Sequence, residues 1–238
     1  MKPIYKRILL KVSGEGLMGS QDFGISPDAV RKLAQQIKEI YDAGVEICLV
    51  VGGGNIFRGV KEASKGINRT VGDYIGMMAT IMNAVYVQNI MEKMGMPVRV
   101  MSGLEVPQVC ENYIYRRAER HLSKGRIVIF AGGTGSPYFT TDTGAVLRAS
   151  EMECDVIMKS TQVDGVYDAD PRKNPNAKRF TEVSYDKVIE DQLNVMDMTA
   201  IAMARENNLP IIVFSQHEDG ELKRVVCGKG NFTLIKKK

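Results

Sequence analysis

The chain has 238 residues, a formal net charge of +4, and contents of 44% hydrophobic and 25% charged residues. This length allows a sizeable buried core, and the composition is that of an ordinary globular protein. The chain lacks both the long basic patch that is typical of nucleic-acid-binding proteins and an apolar run long enough to cross a membrane. We therefore expect an anionic small molecule as partner, and neither nucleic acid nor a membrane.

The cysteines and the first residues indicate a cytoplasmic protein. None of the four cysteines forms a CxxC pair, which favours reduced thiols. The N-terminal residues lead into a strand rather than into a signal peptide. The chain has only two histidines, so we do not expect a histidine-rich metal site.

Strands and helices alternate along the chain. Ser26 and Pro27 begin a helix whose apolar residues recur three and four apart and which stops near Gly44. A long methionine-rich helix is predicted at about 72–94, and another helix begins near Asp142. Strands are predicted at residues 7–12, 45–51, 98–101, 126–130, 155–160 and 211–214. The run at 45–51 is the most apolar, as expected of a strand buried on both faces. This order predicts a largely parallel sheet with helices on both faces.

Four loops at strand ends are rich in Gly, Ser, Thr or Asp. Their sequences are "KVSGEG", "VGGGNIFRG", "AGGTGSPYFTTD" and "STQVDGVYDADP". Ligands of open α/β sheets bind outside the carboxyl ends of the strands, so these loops are expected to share one site. The third loop places bare backbone and hydroxyls before a helix N-terminus, which suits an anion. The alternative for that loop alone is a tight turn with ordinary capping.

Two short motifs in the N-terminal part do not define the function. Residues 14–19 fit GxGxxG, but the next strand ends in glycines without the carboxylate that a dinucleotide site needs, which disfavours a dehydrogenase. Residues 22–24 spell DFG, but the other protein-kinase motifs are missing. The P-loop pattern GxxxxGK[ST] is also absent from the sequence.

Three cations and one acid are candidates for the site. Lys11 lies among apolar strand residues, where an ammonium group is costly unless it meets an anion; the alternative is a solvated strand end. Arg58 offers a fork suited to phosphate oxygens or is a surface arginine. Lys159 is a second cation at a strand end or a structural ion pair. Asp73 either complements the dipole of the long helix or accepts from a sugar hydroxyl.

The predicted site contains cations, glycine backbone and hydroxyl groups but no Ser/His or Cys/His pair. This combination indicates phosphoryl transfer, because an enzyme catalyses that reaction mostly by positioning the substrates and by stabilising charge. A phosphate acceptor needs no general base, because its second pKa of about 6 leaves it largely a dianion at neutral pH. The sequence therefore favours a nucleoside monophosphate kinase. Two alternatives remain, a kinase for a carboxylate or carbamate and a non-catalytic nucleotide-binding protein on the same fold.

The motifs together resemble those of a known family. "GGGNIFRG", "VGDYIGMMATIMNA", "GTGSPYFTTDT", "DGVYDADP" and "VMDMTAIAMARENNLPIIVF" look like those of the bacterial UMP kinases, which have the amino-acid-kinase fold. The resemblance implies a single domain over residues 1–238, a three-layer α/β/α sandwich around a mainly parallel mixed sheet. UMP would bind mainly to the N-terminal part and ATP mainly to residues 155–238. The reaction would be MgATP and UMP giving ADP and UDP, with Mg²⁺ carried by ATP.

The resemblance also implies roles for individual residues. Lys11 would stabilise the transferred phosphoryl group, Asp73 would bind the ribose, and Tyr167 would lie against adenine. Asp142 and Asp197 would orient the lysines or the magnesium. The catalytic residues would be Lys11, Arg58, Asp142, Lys159 and Asp197. UMP would be bound by Gly53, Asp73, Thr134, Gly135, Ser136, Pro137, Tyr138, Phe139, Thr140 and Thr141. ATP would be bound by Lys11, Val12, Ser13, Gly14, Gly54, Arg58, Thr161, Tyr167 and Asp170.

Assembly and regulation follow from the resemblance and from the long helix. That helix is apolar over much of its circumference, which predicts burial on more than one side. The family forms homo-hexamers with GTP or UTP as effectors. The activator segment would comprise Gly19, Ser20, Gln21, Asp22, Phe23 and Gly24. By position, the effector-site candidates are Arg99, Tyr115 and Arg126. The alternatives are that Arg126 only flanks its strand and that Tyr115 packs in its helix.

Overall fold

The computed structural model describes residues 2–57, 66–215 and 218–237. The strands there are β1 (Arg7–Val12), β2 (Glu46–Val51), β3 (Val98–Ser102), β4 (Glu111–Asn112), β5 (Ile127–Ala131), β6 (Val156–Thr161), β7 (Glu182–Ser184), β8 (Ile211–Ser215) and β9 (Phe232–Lys236). The helices are α1 (Pro27–Tyr41), α2 (Arg69–Lys93), α3 (Tyr115–Ser123), α4 (Thr141–Glu151), α5 (Tyr185–Glu190), α6 (Met198–Glu206) and α7 (Glu221–Val226), with a short 3-10 helix at Gly14–Leu17.

The strands form one sheet in the order β4-β3-β5-β2-β1-β6-β8-β9-β7. Neighbouring strands run parallel except β8 and β9, which are antiparallel. β1 lies at the centre, between β2 and β6. The predicted mainly parallel mixed sheet is therefore confirmed, and the carboxyl ends of β1, β2, β5 and β6 reach the same edge.

Two apolar cores, one on each face of the sheet, make three layers. Successive residues of β1 point to opposite faces: Ile8 and Leu10 pack with α1, α2 and α7, whereas Leu9 packs with α3, α4 and α6. The central strands are mostly apolar because both of their faces are covered, and Lys11 and Lys159 are charged exceptions. The predicted α/β/α sandwich is thus confirmed.

The helix ends follow the capping signals of the sequence. The Ser26 side chain accepts a hydrogen bond from the N–H of Ala29, and Pro27 opens α1 as predicted. The long helix begins at Arg69, three residues before the predicted start, because the Asn68 side chain accepts from the backbone of Thr70 and Val71. Within the described residues, none of the helices combines the length and apolarity needed to span a bilayer.

Candidate active site

Two lysines and one aspartate form a compact charged cluster near the carboxyl edge of the sheet. Lys11 and Lys159 are register partners on the adjacent strands β1 and β6. Asp142, in the first turn of α4, contacts Lys11 Nζ through Oδ1 and Lys159 Nζ through Oδ2, each at 2.8 Å. Lys159 also donates to the carbonyl oxygen of Val195 at 2.5 Å. The anion that the buried Lys11 requires is therefore Asp142.

Burial and charge act in opposite directions on this cluster. Burial disfavours the charged form of Asp142, but the ammonium groups of Lys11 and Lys159 outweigh it and lower the pKa of the carboxyl. Burial lowers the pKa of Lys159; the charge of Asp142 opposes that shift, and the charge of Lys11 adds to it. The charge of Asp197 also opposes the shift of Lys159. Two ammonium groups and two carboxylates therefore act on one another at this edge of the sheet.

The loop between β5 and α4 follows a backbone path that ordinary residues rarely adopt. Gly132 and Gly135 have φ values of 70° and 82°. A Cβ atom on Gly135 would lie 2.6 Å from the carbonyl oxygen of Gly103, so only glycine fits there. Tyr138 has φ 71°, and its N–H donates to Asp73 Oδ2 at 2.8 Å. These contacts fix the loop against the neighbouring β3 loop and α2.

Asp197 holds the end of this loop rather than the lysines. It is the N-cap of α6, and its carboxylate accepts from Thr140 Oγ1 at 2.5 Å and from Thr143 Oγ1 at 2.9 Å. Thr140 in turn caps α4 by accepting from the N–H of Asp142 at 3.1 Å. The two acids therefore have different contacts: Asp142 joins the lysines, and Asp197 positions the start of α4.

Asp73 lies in the second turn of α2, so its predicted role at the helix dipole is wrong. The dipole effect is confined to the first turn, which contains no acidic residue in this helix. The Asp73 carboxylate instead accepts from Arg69 Nε, at 2.9 Å to each oxygen, and from the Tyr138 N–H. It joins α2 to the β5–α4 loop and has further lone pairs for a ligand.

A cavity of about 170 Å³ lies beside these contacts. We call it the acceptor cavity; it lies between the β2 loop, α2 and the β5–α4 loop. Among the residues that the family resemblance assigns to UMP, its lining includes Gly53, Asp73, Phe139 and Thr141. The other residues so assigned belong to the rest of the loop, outside this lining: Thr134, Gly135, Ser136, Pro137, Tyr138 and Thr140. Gly54, assigned to ATP, also lines the acceptor cavity.

Sequence reasoning missed six residues that line the acceptor cavity: Phe57, Gly72, Gly76, Met77, Thr80 and Gly133. Met77 is buried, as expected for an apolar residue of the long helix. The predicted helix at 72–94 already places Met77 and Thr80 one and two turns beyond Asp73, on the same helix face, and this spacing was the available signal.

A second cavity, of about 290 Å³, lies between the β6–β7 connection and the loop after α5. Tyr167 and Asp170 line it, together with Arg172, which the sequence did not single out. Tyr167 Oη donates to Asp164 Oδ1 at 2.6 Å, and Arg172 Nε lies 3.1 Å from Asp170 Oδ1. Hydrogen bonding to Arg172 lowers the pKa of Asp170.

The strand-end residue Thr161 supports this second cavity from outside its lining. Its hydroxyl donates to the carbonyl oxygen of Val163 at 2.7 Å and accepts from the N–H of the same residue at 3.1 Å. Val163 itself lines the cavity. Thr161 therefore fixes the entry to the loop.

The loop after β1 packs tightly against the loop after β2. Ser13 caps the 3-10 helix by accepting from the N–H of Glu15, and the N–H of Gly52 donates to the Val12 carbonyl oxygen at 2.9 Å. A Cβ atom on Gly14 would lie 2.7 Å from the carbonyl oxygen of Gly52. Glycine at position 14 is what allows the two loops to meet.

The predicted activator segment lies beside the β2 loop. The other remaining site prediction, Arg58, lies outside the described residues. In the predicted activator segment, Gly19 and Gly24 have φ values of 63° and 86°, and Phe23 is exposed. The segment reaches the β2 loop through Gly24, whose N–H donates to the Asn55 carbonyl oxygen at 2.9 Å.

Two of the three predicted effector-site residues are connected through side chains that the sequence did not indicate. Arg99 Nε lies 3.9 Å from Glu111 Oε1, and Glu111 Oε2 lies 3.1 Å from His121 Nε2. Arg126 Nη1 donates to His121 Nδ1 at 3.0 Å. Arginine can only donate, so a neutral His121 carries its proton on Nε2, facing Glu111. Tyr115 begins α3 and is exposed.

Arg99 also lines a cavity of about 540 Å³ between the end of α2, β3 and the segment before α3. Glu111 and Arg117 share that lining. Neither Tyr115 nor Arg126 belongs to it, and Arg126 lines a different cavity, of about 370 Å³. Within the part of the chain that the structure describes, no group of three or more His, Cys, Asp or Glu side chains is placed to hold a metal ion.

Comparison with known proteins shows one consistent similarity. The model of the amino acid kinase family matches residues 6–215. The chain is 57% identical over 231 residues to the uridylate kinase of Rickettsia bellii (strain RML369-C), covering 97% of each protein, and 55% identical over 233 residues to that of Erythrobacter litoralis (strain HTCC2594), covering 98% of each. The crystal structure of UMP kinase from Bacillus anthracis superposes with a TM-score of 0.94 at 40% identity, over 98% of this chain and 96% of that one. UMP kinase from Ureaplasma parvum gives 0.93 at 33% identity, over 100% of both chains.

Proposed function

The chain belongs to the amino acid kinase family, and we propose how it carries out its reaction, the transfer of the γ-phosphoryl group of ATP to UMP. We assign the roles of the residues mainly from one observation, the position of the Lys11–Asp142–Lys159 cluster between two cavities. Thr141, next to Asp142, lines the acceptor cavity, and Asn194, next to the Val195 that binds Lys159, lines the second cavity. UMP binds in the acceptor cavity and adenine in the second.

The lysines stabilise the phosphoryl group in transit. Its charge spreads over three equatorial oxygens in the transition state, and preorganised cations stabilise that charge without reorganisation. Asp142 holds Lys11 and Lys159 in place. Their ammonium groups face the phosphates of ATP on one side and of UMP on the other. No side chain has to remove a proton, since the UMP phosphate is already largely a dianion.

Mg²⁺ would be carried by ATP, and Asp142 and Asp197 are the residues that would hold it beside the phosphates. The residues present fit that arrangement. Mg²⁺ keeps several waters and needs only one or two protein carboxylates besides substrate phosphates. Asp142 and Asp197 lie at the site and are oxygen donors, although both are already hydrogen-bonded or ion-paired within the chain. When bound, the ion neutralises phosphate charge.

The acceptor cavity holds the ribose end of UMP. Its volume of about 170 Å³ is below the roughly 300–1,000 Å³ of a whole-ligand pocket, so it takes only part of a nucleotide. Asp73 is held by Arg69 and by the Tyr138 N–H and turns its remaining lone pairs toward the ribose hydroxyls. Uracil and the phosphate then contact the loop residues 134–141.

The Asp73→Asn variant should raise the KM for UMP. A hydrogen bond to a charged group contributes about 1.5–3 kcal/mol, which corresponds to roughly a 10- to 150-fold increase. Steady-state kinetics with UMP varied at saturating ATP measure this effect, and Asp28→Asn, at an exposed ion pair of α1, is the control. A lower melting temperature with an unchanged KM for UMP would show that Asp73 is only structural.

An acceptor panel tests the reaction itself. ADP release is followed with UMP, CMP, aspartate, glutamate and carbamate as phosphoryl acceptors. We expect UMP to be preferred by a wide margin. Preferred release with a carboxylate or carbamate would assign the protein to another reaction of the family, and no acceptor-dependent release would indicate a binding protein.

The protein works in the cytoplasm as a homo-hexamer regulated by GTP or UTP. A line of exposed apolar side chains on one face of α2 supports the assembly: Val71, Tyr74, Met78 and Met82 are 52%, 41%, 49% and 58% exposed. Their spacings of three or four residues place them on one side of the helix. Such a face is typical of a subunit contact.

The Met82→Asp variant should dissociate the assembly. A carboxylate buried in an apolar contact costs several kcal/mol, whereas on an exposed helix of a monomer it costs little. Light scattering is expected to give a hexamer for the wild type and a smaller species for the variant. A monomeric wild type would contradict the assembly.

The combined Arg99→Ala and Arg126→Ala change should abolish the response to GTP and leave basal activity in place. Two arginines provide the cations for effector phosphates, and an effector regulates only if it binds two subunit states with different affinity. The activity at subsaturating UMP is measured with and without GTP. A hexamer whose GTP response is unchanged would place the effector site elsewhere.

A further inference from the structure

We propose that Thr80 and Asn83, buried side by side on α2, are positioning residues that hold the two glycine loops on either side of the acceptor cavity. The proposal rests on the assignment of that cavity to UMP. Thr80 is 3% exposed and Asn83 is fully buried. Polar groups in such surroundings are costly unless every one of them finds a partner.

Asn83 holds the loop after β2. Its Nδ2 donates to the Gly52 carbonyl oxygen at 2.7 Å and to Asn55 Oδ1 at 2.7 Å, and its Oδ1 accepts from Asn55 Nδ2 at 3.0 Å. Asn55 is also buried. Turning the Asn83 amide over would set its oxygen against the Gly52 carbonyl and would lose both donated bonds. The pair therefore accepts one arrangement only, and that arrangement sets the position of Gly53 and Gly54 at the cavity.

Thr80 holds the start of the loop after β5. Its hydroxyl donates to the Met77 carbonyl oxygen at 2.7 Å and accepts from the N–H of Gly132 at 2.9 Å. The chain packs closely at Gly132, where an added Cβ atom would lie 2.8 Å from Ser102 Oγ, so only glycine fits. One side chain of α2 thus determines where the backbone of the β5–α4 loop leaves the sheet.

The two contacts act on opposite walls of one cavity. Residues 73, 80 and 83 lie on one face of α2, because they are separated by seven and three positions. On the same face, a Cβ atom on Gly53 would lie 2.9 Å from the Gly76 carbonyl oxygen, so the loop packs directly on the helix backbone. Asp73, Thr80 and Asn83 therefore fix the distance between the walls that enclose UMP.

The same pair connects the predicted activator segment to the acceptor cavity. Asn55 Nδ2, which binds Asn83, also donates to the Gly24 carbonyl oxygen at 2.9 Å, and the Gly24 N–H donates back to the Asn55 carbonyl oxygen at 2.9 Å. Asn55 therefore joins the backbone at Gly24 to the wall of the acceptor cavity.

Kinetics of matched variants test the positioning role. Thr80→Val keeps the shape of the side chain and removes the hydroxyl, whereas Thr80→Ser keeps the hydroxyl. Asn83→Leu removes the amide at similar volume. Val87→Ala, one turn further along α2 and fully buried among apolar side chains, lowers stability without touching either loop. For each variant the KM values for UMP and ATP, kcat and the melting temperature are measured.

We expect Thr80→Val and Asn83→Leu to raise the KM for UMP by about tenfold or more, because each variant loses a buried hydrogen bond that positions a wall of the UMP cavity. The KM for ATP should change by about twofold or less. Thr80→Ser should restore the KM for UMP to within about twofold of the wild type, and Val87→Ala should leave it unchanged despite a lower melting temperature. If Asn83→Leu does not fold, the comparison of Thr80→Val with Thr80→Ser tests the positioning role. A Thr80→Val enzyme with an unchanged KM for UMP, or with equal increases for UMP and ATP, would overturn the positioning role. A wild type that forms no UDP would instead overturn the assignment of the reaction.

Discussion

Replacing Lys11 by methionine should lower kcat by about 10²- to 10³-fold, the range found when one preorganised group that stabilises transition-state charge is removed. The KM for UMP should change by only a few fold, because Lys11 acts on charge that develops during transfer. Methionine is close in length and apolar, so it fits the buried strand around position 11. Steady-state kinetics with both substrates measure the two parameters separately.

The matched control is Lys38→Met, at an exposed lysine of α1 that pairs with Asp42 one turn away. Both variants remove one positive charge, but only Lys11 lies at the proposed site of transfer. If Lys11→Met turned over at close to the wild-type rate, Lys11 would have no role in the chemical step. The Lys11–Asp142 contact would then be a structural ion pair.

Replacing Asp142 by asparagine should lower the free energy of unfolding by about 3 kcal/mol, since removing one partner of a buried ion pair leaves uncompensated charge. In this protein the carboxylate compensates two lysines, each at 2.8 Å. A change of that size lowers the melting temperature by roughly 6–12 °C in a chain of this length. ATP should recover part of the loss, because its phosphates supply the missing negative charge.

The effect should depend on pH in a definite direction. The pKa of Asp142 is lowered in the folded protein, so its ionised form adds stability above the pKa of about 3.9 that the unfolded chain has. That contribution is lost as the pH falls through the lowered pKa. The wild type and Asp142→Asn should therefore differ at neutral pH and converge in acid. Asp42→Asn, at an exposed pair with Lys38, should change stability by less than about 0.5 kcal/mol. Equal melting temperatures for the wild type and Asp142→Asn at pH 7 would contradict this prediction.

The sheet could be predicted from the sequence because its central strands are buried on both faces. Continuous apolar runs such as residues 45–51 admit no amphipathic helix, and the observed strand Glu46–Val51 confirms that prediction. The missed strands are short or peripheral: β4 has two residues and β7 three. β9 lies beside the edge strand β7, and its five residues, FTLIK, include the polar residues Thr233 and Lys236. Their strand character comes from pairing with neighbours, which a sequence pattern does not contain.

The sequence predicts the chemical type of the site, but it predicts only some of the contacts between the site residues. A lysine on an apolar strand must meet an anion, but the residue pattern alone does not identify it, because the contacts join distant parts of the chain. The family resemblance named Asp142 and Asp197 for the lysines or the magnesium, and the structure places only Asp142 in contact with both lysines. The Asn55–Asn83 pair was missed for the same reason. A single asparagine in the apolar stretch "ATIMNAV" was the available signal, and a polar residue there needs a buried partner.

The most direct test of phosphoryl transfer to UMP follows the phosphorus atom itself. The protein is incubated with Mg²⁺, UMP and ATP labelled at the γ-phosphorus, and the products are separated. The structure and its assignment predict that the label appears in the β-phosphate of UDP at the same rate as ADP forms, and that Lys11→Met lowers both rates together. Label released only as inorganic phosphate, with no labelled UDP, would contradict the account.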